Sequence, residues 1–517
     1  MTMRDVLMYL LFGFLVVISM QWIHQMFFAR QGTNPQEPLA GQIVKAPVSE
    51  QVLKPINTEI DFFDVKPDSY KEIETSIDTQ DLQVVLNSEG ASLVQIYVKH
   101  HVNDTQKLIP LLEPITGLPR EGRAFLVGLN EKTPYYFTLV EDITQNDTQR
   151  VTYTAQTDEA VITKTYIFYK TLCKIDLTLT IEPKEGKKIQ PRVFIPAPFI
   201  EYVSPQDTVQ GIFSDEYQSL KKMKPAELEG SLWIPQRKGL LFGAEDRYFI
   251  QALVADPEKF VQRGYYRLEG MRHITSVLEG PVIEESKTWT MSFYCGPKQI
   301  EAMTAVDPRL DQTLEYGWLA PISKWLLYIL TLFYKWTHNY GWAIIILTVL
   351  MSLILWLFAP KKSKGGASRG MEMVKKLQYV EQKYKNDPEM LAQERNKIYE
   401  KYGSPFSGLG FLPMLIQFPV FLGLNRVLSN AIELYQAPFI KGWINDLSVK
   451  DPYYILPAII ALIMIFSTAS SGDPRQRTVM VFVSIIIAGL FASFAAGLAL
   501  FFCVNLLMGI LKNRIQK

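Results

Sequence analysis

The chain has 517 residues, 48% of them hydrophobic and 20% charged, with 53 Lys and Arg against 52 Asp and Glu. That length exceeds one ordinary core and suits two or three domains, while a net charge of +1 supplies no global field for nucleic acid, so no DNA partner is expected. The near-neutral average conceals two halves: residues 57–315 read as a water-exposed β region, and apolar runs dominate from residue 318 onward.

Residues 6–22 form an uncharged run long enough to span a bilayer with some thinning. A cleaved signal peptide is the alternative, but bulky residues 24–28 follow and offer no small-x-small cleavage site. Residues 1–30 are therefore expected to be an uncleaved anchor, with Arg4 placing the N-terminus in the cytoplasm. Residues 31–56 are polar, Pro-containing and aperiodic, and read as a linker.

The next region, 57–315, alternates as strands do. Segment 82–86 leads into the turn Asn87-Ser88-Glu89-Gly90 and 91–98 returns, while 163–168 and 174–181 repeat the pattern. Frequent turn signals without long helical stretches predict a large antiparallel β-sandwich. Chemistry is sparse there. His100, His101 and His273 lack ligand spacing, and Gly239, Gly243 and Asp246 read as strand ends and a turn. The region is expected to be a scaffold or binding surface, not an enzyme, with no metal or cofactor. Cys173 and Cys295 could pair in an oxidising compartment, but no spacing requires it, and free buried thiols are expected.

Within 316–340, Trp318, Ile322, Trp325, Leu326, Ile329 and Phe333 recur at helical spacing beside Lys324 and Lys335, which predicts an amphipathic helix lying on the membrane. The start of a longer span is the alternative; Pro321 and Lys324 oppose it. A second span is expected at 341–360, followed by Lys361, Lys362, Lys364 and Arg369 on the cytoplasmic side. Residues 361–404 read as a helical hairpin broken at Asn386-Asp387-Pro388, with Met373, Leu377, Val380 and Tyr384 on one face and Leu391, Ile398 and Tyr402 on the other helix. Its surplus of five positive charges between 361 and 401 suits anionic lipid head groups or ribosomal RNA, or simply a solvated cytoplasmic hairpin.

Further spans are expected at 405–432 and 453–469, joined by an outer loop at 433–452, and a loop with Arg475 and Arg477 lies inside. Residues 478–511 are 34 residues without a charge, about 51 Å of helix against a hydrocarbon core of about 30 Å. They should form two spans, 478–494 and 496–512, reversing near 494–497, and Lys512 and Arg514 close the chain inside. Six spans with both termini cytoplasmic result.

Several of these spans carry polar residues: Thr348 and Ser352, Gln417, Asn425 and Arg426, Ser484 and Ser493, and Asn505. Hydroxyls and amides often only join helices. Arg426 is costlier, lying seven residues from Glu433 and so about 10 Å along the helix. Either it snorkels to the outer surface or it lines a wet inward cavity. Such a cavity would ease a hydrophilic segment part of the way across, with a cation to attract acidic residues. No ATP motif is present, so transfer of the substrate's own apolar helix into lipid would drive the process.

The stretches FLPMLIQFPVFL (411–422), QAPF (436–439), WINDLS (443–448) and DPYYILP (451–457), with YGWL (316–319) and GWAIIILT (341–348), resemble the YidC membrane-protein insertase family of the Gram-negative type, as a divergent member. The resemblance implies a bacterial inner-membrane protein with a five-helix insertase core plus an N-terminal anchor, a large periplasmic antiparallel β-supersandwich and a cytoplasmic helical hairpin. It implies a hydrophilic intramembrane groove, and the polar residues of the spans, Arg426, Ser352, Thr348, Gln417, Asn425, Ser484 and Asn505, are expected to line it. Phe418, Pro419, Phe421, Phe501 and Phe502 would flank the substrate, which is a nascent membrane protein taken alone or with the Sec translocon. The ribosome, through the basic hairpin, and membrane lipids are further expected partners.

The chain departs from the family pattern at several points. Ser352 stands where the family has an arginine, Trp356-Leu357 where it has a proline, Ser484 and Ala495 at two further proline positions, and Phe501-Phe502 at a tyrosine pair; the C-terminal tail lacks a long basic extension. Either Arg426 supplies the groove charge, or the protein is a non-inserting scaffold or assembly chaperone. A small-solute transporter would show internal repeats, and none appears between the spans. A carbohydrate-active β domain would need a His/Glu constellation that is missing.

Overall fold

The computed structural model describes residues 61–63, 66–68, 70–102, 105–113, 122–130, 132–198, 209–214, 219–228, 232–233, 240–269, 273–314, 316–358, 366–384, 387–402, 412–468 and 474–515. The expected anchor at 1–30, the linker at 31–56 and Gly239 lie outside them. The chain divides into a β unit that ends at Glu315 and a helical unit that runs from Tyr316.

Alternation builds the β unit. Strand Ala160–Tyr169 buries every second residue and pairs antiparallel with Thr148–Gln156 and Lys174–Pro183, as period-two patterning requires. These strands belong to a nine-stranded sheet, beside sheets of seven and four strands. The pairings are antiparallel except that Asp61–Phe63 runs parallel to Lys132–Pro134. The hairpin read around Gly90 forms between Leu82–Asn87 and Ser92–Val102, with Gly90 and Ala91 at φ +70° and +40°. Lys164, fully buried, donates to the carbonyls of Gly90, Ala91 and Phe125 at 2.7, 3.1 and 2.6 Å. All three residues have positive φ. Burial pushes the ammonium pKa well down, yet three carbonyl acceptors match the three donors of the charged form.

Tyr266, from Arg263–Glu269 in the seven-stranded sheet, reaches across to the nine-stranded sheet. Its hydroxyl donates to Ile212 O and Gly243 O, each at 2.9 Å, and its ring stacks on Phe242 at 4.8 Å. Gly243 is thus inside strand Phe242–Glu245 rather than at a strand end, because a Cβ there would lie 2.1 Å from the Gln251 carbonyl. Cys173 and Cys295 are free and buried; the Cys295 N–H donates to Cys173 O at 3.2 Å. Burial pushes the Cys295 thiol up to about 12.

Asp246 makes the turn after Phe242–Glu245, its Oδ1 accepting from the N–H groups of Tyr248 at 2.6 Å and Phe249 at 2.5 Å. Burial raises its carboxyl to about 7 despite those donors. A carboxyl raised in the folded state contributes stability that is fully present below its unfolded value and is lost as pH rises through the folded one. The β unit is expected to lose on the order of 4 kcal/mol from this group between about pH 4 and 8. Asp246→Asn keeps the Oδ1 acceptor and should flatten the profile, as thermal unfolding across a pH series would read; an unchanged slope in the variant refutes the assignment.

The helical unit comprises α1 (Ala320–Thr337), α2 (Tyr340–Phe358), α3 (Gly366–Lys383), α4 (Pro388–Tyr402), α5 (Leu412–Asn430), α6 (Ile455–Thr468), α7 (Pro474–Phe491) and α8 (Ala496–Ile515). Among the described residues no single helix is long and apolar enough to cross a membrane alone. The pair α1 and α2 is so only together, bent by 119° at its break, where His338 adopts φ +51°. Helix α7 opens at Pro474, so Arg475 and Arg477, read as loop residues, fall in its first turns. Large apolar side chains stand on the outside of the unit. Trp336, Phe466, Phe482 and Ile485 are exposed, while Thr348, Ser352 and Ser484 are buried; exposed apolar side chains of this size mark an interaction surface.

Close approaches fix the packing. Helix α1 buries Ser323, Leu326, Leu327, Leu330 and Phe333, and Ser323 Oγ donates to Gly423 O of α5 at 3.2 Å. A Cβ on Gly423 would lie 2.9 Å from Ile322. Helix α8 packs on α2, α5 and α6, and α6 packs on α7. Gly497 admits Leu428, Ile344 and the Leu447 carbonyl. Helices α3 and α4 close on Met373, Val380 and Ile398, with Leu377, Tyr384, Leu391 and Tyr399 packed around them.

Candidate functional site

Four phenylalanines tie three helices together. Phe421 of α5 lies 6.2 Å from Phe491 and 6.3 Å from Phe494. Phe491, the last residue of α7, stacks on Phe502 of α8 at 4.3 Å. Phe494 sits in the α7–α8 turn, 5.6 Å from Phe491. Along its length α7 packs on α6.

The polar residues lie beneath this knot, on the side away from the α7–α8 turn. At about 100° per residue, Gln417 follows the stripe of Phe421 one turn below it, and Ser484 follows that of Phe491 two turns below. Asn505 lies three residues past Phe502. The Ser352 hydroxyl of α2 meets Asn505 Oδ1 at 3.3 Å, which joins two of the expected residues. Ser352 and Ser484 are buried, and Gln417 and Asn505 half-buried. Thr348 donates back to Ile344 O at 2.6 Å and Ser484 to Met480 O at 2.7 Å, so those two hydroxyls are satisfied within their own helices.

Other expected residues separate. Asn425 shares the Phe421 stripe but lies one turn toward the opposite end. Phe501 is buried and Phe502 enters the knot, while Phe418 is exposed and Pro419 sits inside α5. Arg426 lies one turn and more beyond Phe421 along α5, on the far side from Gln417. It lies about 60° around α5 from Gly423, which faces α1, and about 140° from Phe421. The seating of Gly423 against Ile322 fixes the face of α5 that meets α1. Phe491 and Phe494 were not anticipated; the aromatic spacing in LFASFAAG, between two apolar runs, was the available signal.

The connection 431–454 caps the end of the unit nearest the knot. Asp451 Oδ1 accepts from Trp443 Nε1 at 2.8 Å and its Oδ2 from Leu456 N–H at 2.7 Å, at the start of α6. Ala496 N–H donates to Val449 O at 2.7 Å and Gly497 N–H to Leu447 O at 3.0 Å. Asn339 Nδ2 donates to Phe439 O at 3.1 Å. The starts of α2 and α8 are thereby held to one loop.

Two family models cover this architecture: one for the YidC periplasmic domain matches residues 74–329, and one for the 60Kd inner membrane protein matches residues 332–517. A protein of Oleidesulfovibrio alaskensis named Membrane protein insertase YidC is 37% identical over 264 residues, 48% of this chain and 47% of that protein. One of the same name from Bordetella petrii is 28% identical over 461 residues, covering 83% and 80%. The chain spans about half the length of the first of these relatives that it matches. A crystal structure of an active YidC insertase with its first transmembrane domain resolved is 16% identical over 86% of this chain and 94% of that one, at a TM-score of 0.35 that carries no argument about fold.

Proposed function

Because the chain belongs to the YidC family, we propose that it acts as a membrane-protein insertase and chaperone rather than as an enzyme. In this reading α2, α5, α6, α7 and α8 span the inner membrane together with the N-terminal anchor, and both termini are cytoplasmic. The β unit is periplasmic, α1 rests on the outer bilayer surface, and α3 and α4 form a cytoplasmic hairpin. Substrates are nascent membrane proteins, taken alone or with the Sec translocon; anionic lipids and the ribosome are candidate partners of the hairpin.

The polar layer beneath the aromatic knot, where the Ser352 hydroxyl meets Asn505 across α2 and α8, carries this reading. A hydrophilic segment entering between α5 and α7 would exchange water for the amides and hydroxyls of Gln417, Ser352 and Asn505, which reduces the cost of its descent into the bilayer. The phenylalanines above stop a continuous water path. The substrate's apolar helix then moves sideways into lipid, at roughly 25 cal/mol per Å² of apolar surface removed from water.

Purified full-length protein in proteoliposomes is expected to insert a single-span test protein, read by protease protection, well above protein-free vesicles. Asn505→Leu should lower the yield several-fold. Insertion no better than in empty vesicles overturns the reading, and substrate capture without insertion favours the scaffold alternative.

A further inference from the structure

We infer that the polar layer selects substrates by neutral hydrogen bonding and is indifferent to the sign of their charge, with the Ser352–Asn505 pair setting that specificity. The inference rests on the insertase reading and adds the class of substrate segment the groove accepts: translocated tails of either charge, ranked by their desolvation cost.

The placement of charge carries it. Helices α2 and α6 contain no Lys, Arg, Asp or Glu. The two arginines of α7 lie in its first turns, and Lys512 and Arg514 in the last turn of α8. The one charged residue of α5, Arg426, lies on the α1 side, about 140° from the Phe421 stripe. Among the described residues, what is placed beneath the knot is two amides and hydroxyls. Ser352 and Asn505 meet at 3.3 Å across α2 and α8, and Gln417 lies on the facing stripe of α5. An amide offers both donor and acceptor, so an acidic and a basic side chain each find complementary partners and neither meets a formal charge. A full charge at position 352 or 505 would break this symmetry, because within several ångströms in a partly desolvated site it favours one sign by about tenfold or more.

The test uses full-length protein in zwitterionic vesicles without a membrane potential, since a potential or an anionic surface would itself sort charges. Three single-span substrates carry a short translocated tail with two Asp, two Lys or two Gln residues. Wild-type protein should insert the Asp and Lys tails within about twofold of each other, both below the Gln tail. Ser352→Arg should favour Asp over Lys about tenfold, and the near-isosteric Asn505→Asp should favour Lys over Asp by a similar factor. A wild-type preference above about fivefold for either sign overturns the inference, as do folded variants that leave the ratio unchanged. If either variant fails to fold, the wild-type ratio decides. Failure to insert even the Gln-tailed substrate overturns the insertase reading and this inference with it, whereas insertion with a sign preference overturns this inference alone.

Discussion

Glu279→Leu is expected to unfold the β unit. Glu279 sits directly across from Arg192 on one neighbouring strand and Arg263 on the other. Its carboxylate accepts from Arg192 Nε at 2.8 Å, Arg263 Nε at 2.6 Å and Gln190 Nε2 at 2.8 Å, and the Glu279 and Arg192 side chains are fully buried. Removing the carboxylate strands two guanidinium groups in a low-dielectric interior. One broken buried pair costs about 3–5 kcal/mol, and a domain has about 5–15 kcal/mol of net stability. Replacing all three residues by leucine should be far milder, since apolar substitution of a whole buried ion cluster is often close to neutral. Denaturant unfolding of the full chain in detergent checks both; a wild-type midpoint for Glu279→Leu would sink the argument.

Gly341→Ala should destabilise the helical unit and lower its activity with the addition of one methyl group. A Cβ at 341 would lie 2.0, 2.4 and 2.8 Å from Cδ2, Cγ and Cβ of Phe439. Rotating the ring clears the first contact but not the last, because Phe439 is held through its carbonyl by Asn339 and through its N–H by Ile444 O at 2.9 Å. The start of α2 must therefore shift or the cap must open, at a cost of about 1–3 kcal/mol. Moving α2 also moves Ser352 away from Asn505, so insertion yield should fall by more than stability alone accounts for. Thermal unfolding in detergent, paired with the proteoliposome assay, separates the two effects. Wild-type values in both would show that the cap tolerates the methyl group.

Local periodicity was legible and long-range pairing was not. The 3.6-residue stripe of Met373, Leu377, Val380 and Tyr384 identified a helix whose buried side the structure supplies from Ile398 and Leu391. Period-two alternation identified strands at 82–98, 163–168 and 174–181, which the structure extends to Ala160–Tyr169 and Lys174–Pro183. The Arg192–Glu279 pair, 87 residues apart, left no local signal, because nothing near either residue encodes which strands become neighbours. Gly243 was misplaced for the same reason: its need for a hydrogen-sized side chain comes from Gln251 on the next strand.

The order of elements and the positions of charge along the chain followed from sequence alone, because burying apolar surface enforces the periods of helix and strand. So did the stretches through 411–457 that resemble the family. Rotation of α5 about its own axis was decided only by tertiary structure. Residues 417–426 pass through every direction around a helix, and their composition does not say which of them faces inward. The seat of Gly423 on Ile322 and the ring contacts of Phe421 settle it. They fix which face of α5 meets α1 and which meets the aromatic knot, with Gln417 near the Phe421 stripe and Arg426 nearer that of Gly423.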